Sequence, residues 1–153
     1  VATRVFGLAP TDWRIHAVDS DQAPGEAAAL AIDGDPNTLW HSRWNPDSPP
    51  HPHFIAIDLG AAHDLSGFTY LPRPDAGNGT IVRYDFEVSD DGATWSSVIA
   101  DGTFANVKNN PVEQVVMFSA PVRARYVKLV GRSEVNGRAW SSAAEIGVIA
   151  SDE

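Results

Sequence analysis

The sequence predicts an all-β chain, an eight-stranded antiparallel jelly-roll β-sandwich, and three observations carry that prediction. Apolar residues recur at period two in short runs, most clearly where Val82, Tyr84, Phe86 and Val88 alternate with Arg83, Asp85, Glu87 and Ser89. Turn chemistry interrupts the chain at short intervals, as in the stretch 75–80 (DAGNGT) and at Asp91-Gly92, which signals a hairpin. The helical pattern is confined to residues 25–32 (GEAAALAI), long enough for a turn or two.

Taken in order, residues 1–10 read as a linker or a first edge strand, and residues 13–20 (WRIHAVDS) alternate as a strand. Residues 45–52 (NPDSPPHP) hold four prolines and form a rigid loop in which His51 and neighbouring His53 are expected to be solvent-exposed. Residues 53–59 place Ile55, Ile57 and Leu59 on one face of a strand. A further strand over 65–71 (LSGFTYL) stops at Pro72 and Pro74, which deny donors to a ladder. After the strand at 82–89, further strands are expected at 95–99, 112–118, 123–130 and 143–149, the last returning beside an early element. Trp13, Trp40 and Trp95 are assigned to core or strand packing.

Composition bounds the function. The 153 residues are read as one domain, 43% of them hydrophobic, with a net charge of -9. An acidic chain of pI about 4.8 lacks the basic face that nucleic acid or an anionic membrane requires, so neither is expected as a partner. The absence of cysteine excludes disulfides and thiolate metal sites. No apolar run approaches the ~18 residues of a membrane span. A start at Val1 without a signal peptide suggests a piece of a larger or processed protein. No catalytic elbow or metalloprotease motif occurs, so an enzyme is not expected.

The chemistry concentrates at residues 30–44 (LAIDGDPNTLWHSRW). Its first half gathers the oxygens of Asp33, Asp35, Asn37 and Thr38 around a Gly/Pro turn, which suits a hard cation. The turn alone leaves open whether those oxygens hold an ion or bond to their own backbone. Its second half sets Trp40 and Trp44 beside His41 and Arg43, a surface suited to a ligand. If the segment is extended, Trp40 points inward and His41 outward.

Five blocks carry a family resemblance: residues 31–42 (AIDGDPNTLWHS), 54–60 (FIAIDLG), 84–95 (YDFEVSDDGATW), 125–131 (RYVKLVG) and 144–148 (AEIGV). Together and in this order they resemble discoidin-type domains, the coagulation-factor 5/8 type C fold, and within that group the family 32 carbohydrate-binding modules. The resemblance implies a non-catalytic module, covalently attached to a secreted glycoside hydrolase and monomeric, that binds a galactose-containing glycan. It implies structural calcium held by Asp33, Asp35, Thr38 and Glu145 with carbonyls that include those of Leu30 and Ala144. It also implies that His41, Arg73 and Asn78 bond the 3- and 4-hydroxyls of the sugar, that Trp140 stacks on its ring and that Trp44 lines the site, with Glu26 at the edge.

The residue types suit that chemistry. An aromatic ring stacks on the apolar C–H face of galactose, and donors set to one side meet its axial 4-hydroxyl. Arg73 lies between two prolines and Asn78 between two glycines, where backbone can approach a ligand closely. Such a shallow site gives a dissociation constant of roughly 0.1–1 mM. Two alternatives stay open: a discoidin-type domain for lipid or protein, and a module for glucosamine or N-acetylglucosamine glycans.

Overall fold

The computed structural model describes residues 4–105 and 107–152; residues 1–3 of the expected leading linker lie outside it. The described residues form nine strands: β1 Val5–Gly7, β2 Arg14–Val18, β3 Trp40–His41, β4 His53–Leu71, β5 Arg83–Ser89, β6 Ser96–Thr103, β7 Gln114–Gly131, β8 Ser142–Ala143 and β9 Glu145–Ser151. All strand pairings are antiparallel. The short helical patch is a 3₁₀ turn, Ala28–Ala31, which ends as the chain enters the Asp33 turn.

The strands expected at 53–59 and 65–71 are one continuous strand, β4, and those at 112–118 and 123–130 are likewise one, β7. The physical reason is that each runs through both layers and bends between them. The first half of β4 pairs with β2 and with the end of β7, as in Ile55↔Val18 and Ile55↔Leu129. Its second half pairs with β9 and with the start of β7, as in Tyr70↔Ile146 and Tyr70↔Gln114. The register slips between Asp58 and His63 and between Leu65 and Gly67, where the strand turns from one layer to the next. One layer therefore runs β2-β4-β7-β5-β6 and the other β1-β9-β4-β7, and the last long strand lies beside the first, as expected.

Inward residues at period two fill the space between the layers. Ile55, Ile57, Leu65, Phe68, Tyr70, Phe86, Leu129 and Ile146 are almost wholly buried. Phe68 stacks on Phe86 at 4.2 Å, and Phe104 stacks between Tyr84 at 4.2 Å and Tyr70 at 4.8 Å. Trp40 is buried and its Nε1 donates to Ser20 O (3.0 Å). Trp13 is half-buried against the core, and half-buried Trp95 lies under Lys128 Nζ at 4.2 Å.

At one end of the sandwich, β3 and β8 make a separate two-stranded ladder, Trp40↔Ala143 and His41↔Ser142. It joins the loop that follows the Asp33 turn to the segment before the last strand. The loops gathered around this ladder build the site.

Candidate functional site

His41 sits on the ladder with both of its backbone groups engaged: its N–H donates to Glu26 O (3.2 Å) and its carbonyl accepts from Gln22 N (2.9 Å). The side chain is almost wholly buried, yet it forms one wall of a cavity of about 280 Å³. That cavity is lined by Glu26, His41, Trp44, Arg73, Asn78 and Trp140. The five residues singled out from the sequence as sugar contacts thus meet in one place, together with Glu26.

The tautomer of His41 follows from its neighbour. Nδ1 lies 2.6 Å from Ser42 O, and a carbonyl only accepts, so Nδ1 carries the hydrogen. In the neutral ring Nε2 is then an acceptor. Burial, opposed by the Ser42 carbonyl and by Glu26, holds the imidazole pKa below its ordinary 6.5, which favours that neutral ring.

Arg73 reaches the cavity from the segment after β4. Asp75 fixes its guanidinium through Nε (2.8 Å) and Nη2 (3.0 Å), raising the pKa of Arg73 and lowering that of Asp75. This leaves Nη1 without a hydrogen-bond partner among the described residues. The Asn78 amide is likewise unpartnered among them, while its carbonyl accepts from Ser142 Oγ (2.8 Å). The backbone of Asn78 is held close to Ser142 because Gly79 adopts φ +83°, with no side chain to keep the two segments apart.

Two tryptophans form the aromatic walls. Trp44 is 46% exposed, and its Nε1 donates to Glu26 Oε1 (2.7 Å). Trp140 meets the His41 ring edge-on at 5.5 Å, its Nε1 donates to Ser48 Oγ (3.0 Å), and the Arg138 guanidinium lies 5.0 Å from its ring centre. The arrangement offers one acceptor, two sets of donors and two indoles around a space for a single small polar ligand. A larger hollow, about 360 Å³ between Ser89, Asp91, Thr94 and Arg123, has no aromatic wall and lacks that combination.

Beneath the walls lies a scaffold that local sequence patterns did not reveal. Glu134 is buried; its Oε2 accepts from Gly79 N (2.8 Å) and its Oε1 from Asn136 N and Arg138 N (both 3.0 Å). One carboxylate thereby ties the Asn78 loop to the segment leading into Trp140. Tyr70 Oη donates to Ser142 O (2.8 Å) and accepts from Ile81 N (3.0 Å), and burial raises its pKa. Ser42 and Ser141 exchange bonds, Ser42 N to Ser141 O (2.8 Å) and Ser141 N to Ser42 Oγ (3.0 Å). Nothing in the spacing of Glu134 marked it, since its bonds span 55 residues to Gly79. Glu26 had a weak signal as the one charged side chain in an otherwise apolar patch.

The expectation that His51 and His53 are exposed is overturned. His53 is fully buried, with Nδ1 2.7 Å from Asp19 Oδ2 and Nε2 2.6 Å from Ala139 O. His51 is half-buried, with Nε2 2.9 Å from Trp140 O and 3.1 Å from Ser141 Oγ. Carbonyl and carboxylate acceptors lie within reach of the rings, so burial is compensated in a way that the proline count could not reveal.

The Asp33 turn lies away from the cavity. Asp33 Oδ1 accepts from Asp35 N (2.9 Å), and its Oδ2 accepts from the Thr38 hydroxyl. Asp35 Oδ1 accepts from Asn37 N (2.9 Å), and the Asp35 carbonyl lies 3.2 Å from Thr38 Oγ1. Glu145, from the start of β9, reaches this turn: burial and the adjacent Asp33 carboxylate raise its pKa to about 8. Its Oε1 is buried with no hydrogen-bond partner among the described residues. Leu30 closes the 3₁₀ turn by donating to Ala27 O (3.0 Å), and buried Ala144 donates to Leu71 O (2.9 Å). Among the described residues no cluster of three or more His, Cys, Asp or Glu side chains forms a metal site. Two converging carboxylates, one with an orphaned oxygen, beside a hydroxyl and carbonyls nevertheless fit a cation that takes oxygen ligands.

Comparison with known proteins places this geometry among relatives. A family model described as F5/8 type C domain matches residues 15–146. The sialidase of Micromonospora viridifaciens is 37% identical over 138 residues, which cover 88% of this chain and 21% of the relative. The galactose oxidase of Gibberella zeae is 33% identical over 151 residues, 92% of this chain and 20% of the relative. The chain thus spans about a fifth of the length of these curated relatives. Among solved structures, the family 32 carbohydrate-binding module of Clostridium perfringens NanJ, in complex with galactose, superposes with a TM-score of 0.82 at 27% identity, covering 95% of this chain and 99% of that one. A second family 32 module from Clostridium perfringens, in complex with GalNAc-β-1,3-galactose, gives 0.81 at 31% identity, with 94% and 99% covered.

Proposed function

The chain belongs to the F5/8 type C domain family, and from that premise we propose that it is a non-catalytic carbohydrate-binding module for terminal galactose or N-acetylgalactosamine. The observation that carries the proposal is the cavity itself, in which His41, Trp44, Arg73, Asn78, Trp140 and Glu26 converge. Its volume, about 280 Å³, is enough to seat one hexose.

The mechanism is differential hydrogen bonding on an aromatic platform. His41 Nε2 accepts from one sugar hydroxyl, while Arg73 Nη1 and the Asn78 amide donate to hydroxyl oxygens. An axial 4-hydroxyl presents its oxygen to one side of the ring, within reach of such donors, and leaves the opposite face apolar for an indole. An equatorial epimer would leave the Arg73 and Asn78 donors unpaired in the complex, and that loss is the source of discrimination. Two solved relatives support the sugar class: one is in complex with galactose and the other with GalNAc-β-1,3-galactose, whose terminal sugar is N-acetylgalactosamine. Binding at roughly 0.1–1 mM per site gains retention through multivalency with a parent protein.

The turn at Asp33 is the proposed site of a structural calcium ion. Asp33, Asp35, Thr38 and Glu145, with the carbonyls of Leu30 and Ala144, would hold it. Its charge would offset the repulsion between two ionised carboxylates. Because Asp33 precedes β3 and Glu145 begins β9, the ion would join distant parts of the chain. The parent context is proposed as a secreted glycoside hydrolase, in line with the sialidase relative. No helix among the described residues is long and apolar enough to cross a membrane.

The test is a glycan array followed by calorimetric titration with galactose and glucose. Signals confined to terminal galactose or N-acetylgalactosamine, lost in His41→Ala, support the reading. Binding to liposomes with no response to sugar would overturn it, and so would turnover of an aryl galactoside by the isolated chain.

A further inference from the structure

We propose that His53 and His51 are positioning residues for this site: from beneath the proline-rich loop they hold the two consecutive carbonyls that aim the Trp140 indole. The inference rests on the reading of the cavity as a galactose site.

The contacts form a chain. Asp19, in the segment after β2, accepts from Phe54 N through Oδ1 (2.8 Å) and faces His53 Nδ1 through Oδ2 (2.7 Å). On the opposite side of the ring, His53 Nε2 donates to Ala139 O (2.6 Å). His51 Nε2 donates to the next carbonyl, Trp140 O (2.9 Å). The two rings pack at 4.9 Å. The indole itself is tethered to the same proline-rich loop, through Ser48 Oγ (3.0 Å). Trp140 is thus fixed at the carbonyl before it, at its own carbonyl and at its ring nitrogen, and all three anchors come from residues 48–53.

The protonation state of His53 matters to this arrangement. The Asp19 carboxylate and the Ala139 carbonyl both only accept, so the protonated ring donates to both. A neutral ring has one N–H and leaves a bare nitrogen lone pair facing one of those acceptors, which is repulsive. Burial opposes the charge, but the Asp19 carboxylate and the Ala139 carbonyl outweigh it, so His53 holds its proton above the ordinary 6.5. The titratable and charged groups around the pair are few. Asp19 faces His53, with Arg43 near Asp19. His51 adjoins on the same loop, held below 6.5 by burial and by His53. Glu134 acts on His51 from the segment before Ala139. As pH rises through the His53 pKa the ring can no longer donate to both Asp19 and Ala139 O, the link that runs from Asp19 through the ring to the Ala139–Trp140 backbone loosens, and galactose binding weakens. His41, whose pKa is lowered, acts on the acid side instead, so the two histidines give separate limbs of the pH profile.

The experiment follows the Trp140 indole N–H resonance of the ¹⁵N-labelled chain across pH, first without sugar, with galactose affinity then measured over the same range. The indole resonance is expected to shift with the His53 ring titration, above pH 6.5. Asp19→Asn should move that midpoint to lower pH, and His53→Gln should abolish it and weaken galactose binding about fivefold to tenfold, the loss expected of about one net hydrogen bond. A Trp140 resonance that ignores the His53 titration overturns the inference, as does a galactose affinity that stays flat above pH 6.5. A wild-type chain that binds no galactose sinks the functional reading, while the sugar-free titration of Trp140 still decides the positioning role. Should His53→Gln fail to fold, the wild-type titration and Asp19→Asn carry the decision.

Discussion

Gly79→Ala tests how tightly the Asn78 loop is built against the segment that carries β8. Gly79 lies at φ +83°, and an added methyl would meet Ser142 at 2.6 Å from Oγ, 2.8 Å from Cβ and 2.9 Å from N. Ser142 has little room to retreat. Its N–H donates to Gly79 O (2.8 Å), its carbonyl accepts from Tyr70 Oη (2.8 Å), and its hydroxyl donates to Asn78 O (2.8 Å). Left-handed backbone costs a residue with a side chain about 1–2 kcal/mol. Overpacking against fixed neighbours adds about 1–3 kcal/mol. The combined loss of about 2–5 kcal/mol lowers the melting temperature by roughly 5–15 °C in a domain of this size. Gly137→Ala is the internal control: at φ +75° with nothing within 4 Å of the added methyl, it incurs only the backbone part. Thermal denaturation by circular dichroism, run on both variants, reads the difference, and galactose affinity should fall with stability in Gly79→Ala. Equal melting temperatures for the two variants would refute the claim that Ser142 is pinned.

Four further outcomes are expected. Tyr70→Phe strips a buried hydroxyl that both donates and accepts, so urea denaturation should show a loss of about 1–3 kcal/mol. His41→Ala should abolish galactose binding with a melting temperature close to that of wild type. On the acid side of the profile, wild-type affinity should fall as pH drops below 6.5 through the lowered His41 pKa, because protonation turns Nε2 from acceptor to donor; titrations below that value check the sign. A chelator should lower the melting temperature by about 5–10 °C if calcium is present at a hundredfold excess over its dissociation constant, equivalent to about 2.7 kcal/mol, and a scan unchanged by chelator would defeat the calcium proposal.

Strand positions were legible because alternation is a local signal, and Tyr84, Phe86 and Val88 do face the core. That β4 and β7 each run unbroken through both layers was not legible, since a bend leaves the alternation on either side intact and hides in register slips. The cavity wall was legible because His41, Trp44, Arg73, Asn78 and Trp140 follow the order and spacing that the family resemblance implies, and because their polar and aromatic groups sit in or beside turn-rich segments that an all-β core does not need. The supporting groups were not: Glu134 reaches its partner across 55 residues, and His51 across 89 to Trp140. Their purpose depends on tertiary neighbours, and a proline-rich loop gives no sign of which carbonyls it will face.

The ladder that joins β3 to β8 pairs residues about a hundred positions apart; it carries His41 and is bonded directly to Glu26 and Asn78. Nascent chains emerging from the ribosome therefore own no receptor until residues 140–143 have docked. Retention on immobilised galactose would accordingly act as a quality filter, capturing finished molecules and letting truncated or misassembled ones wash through.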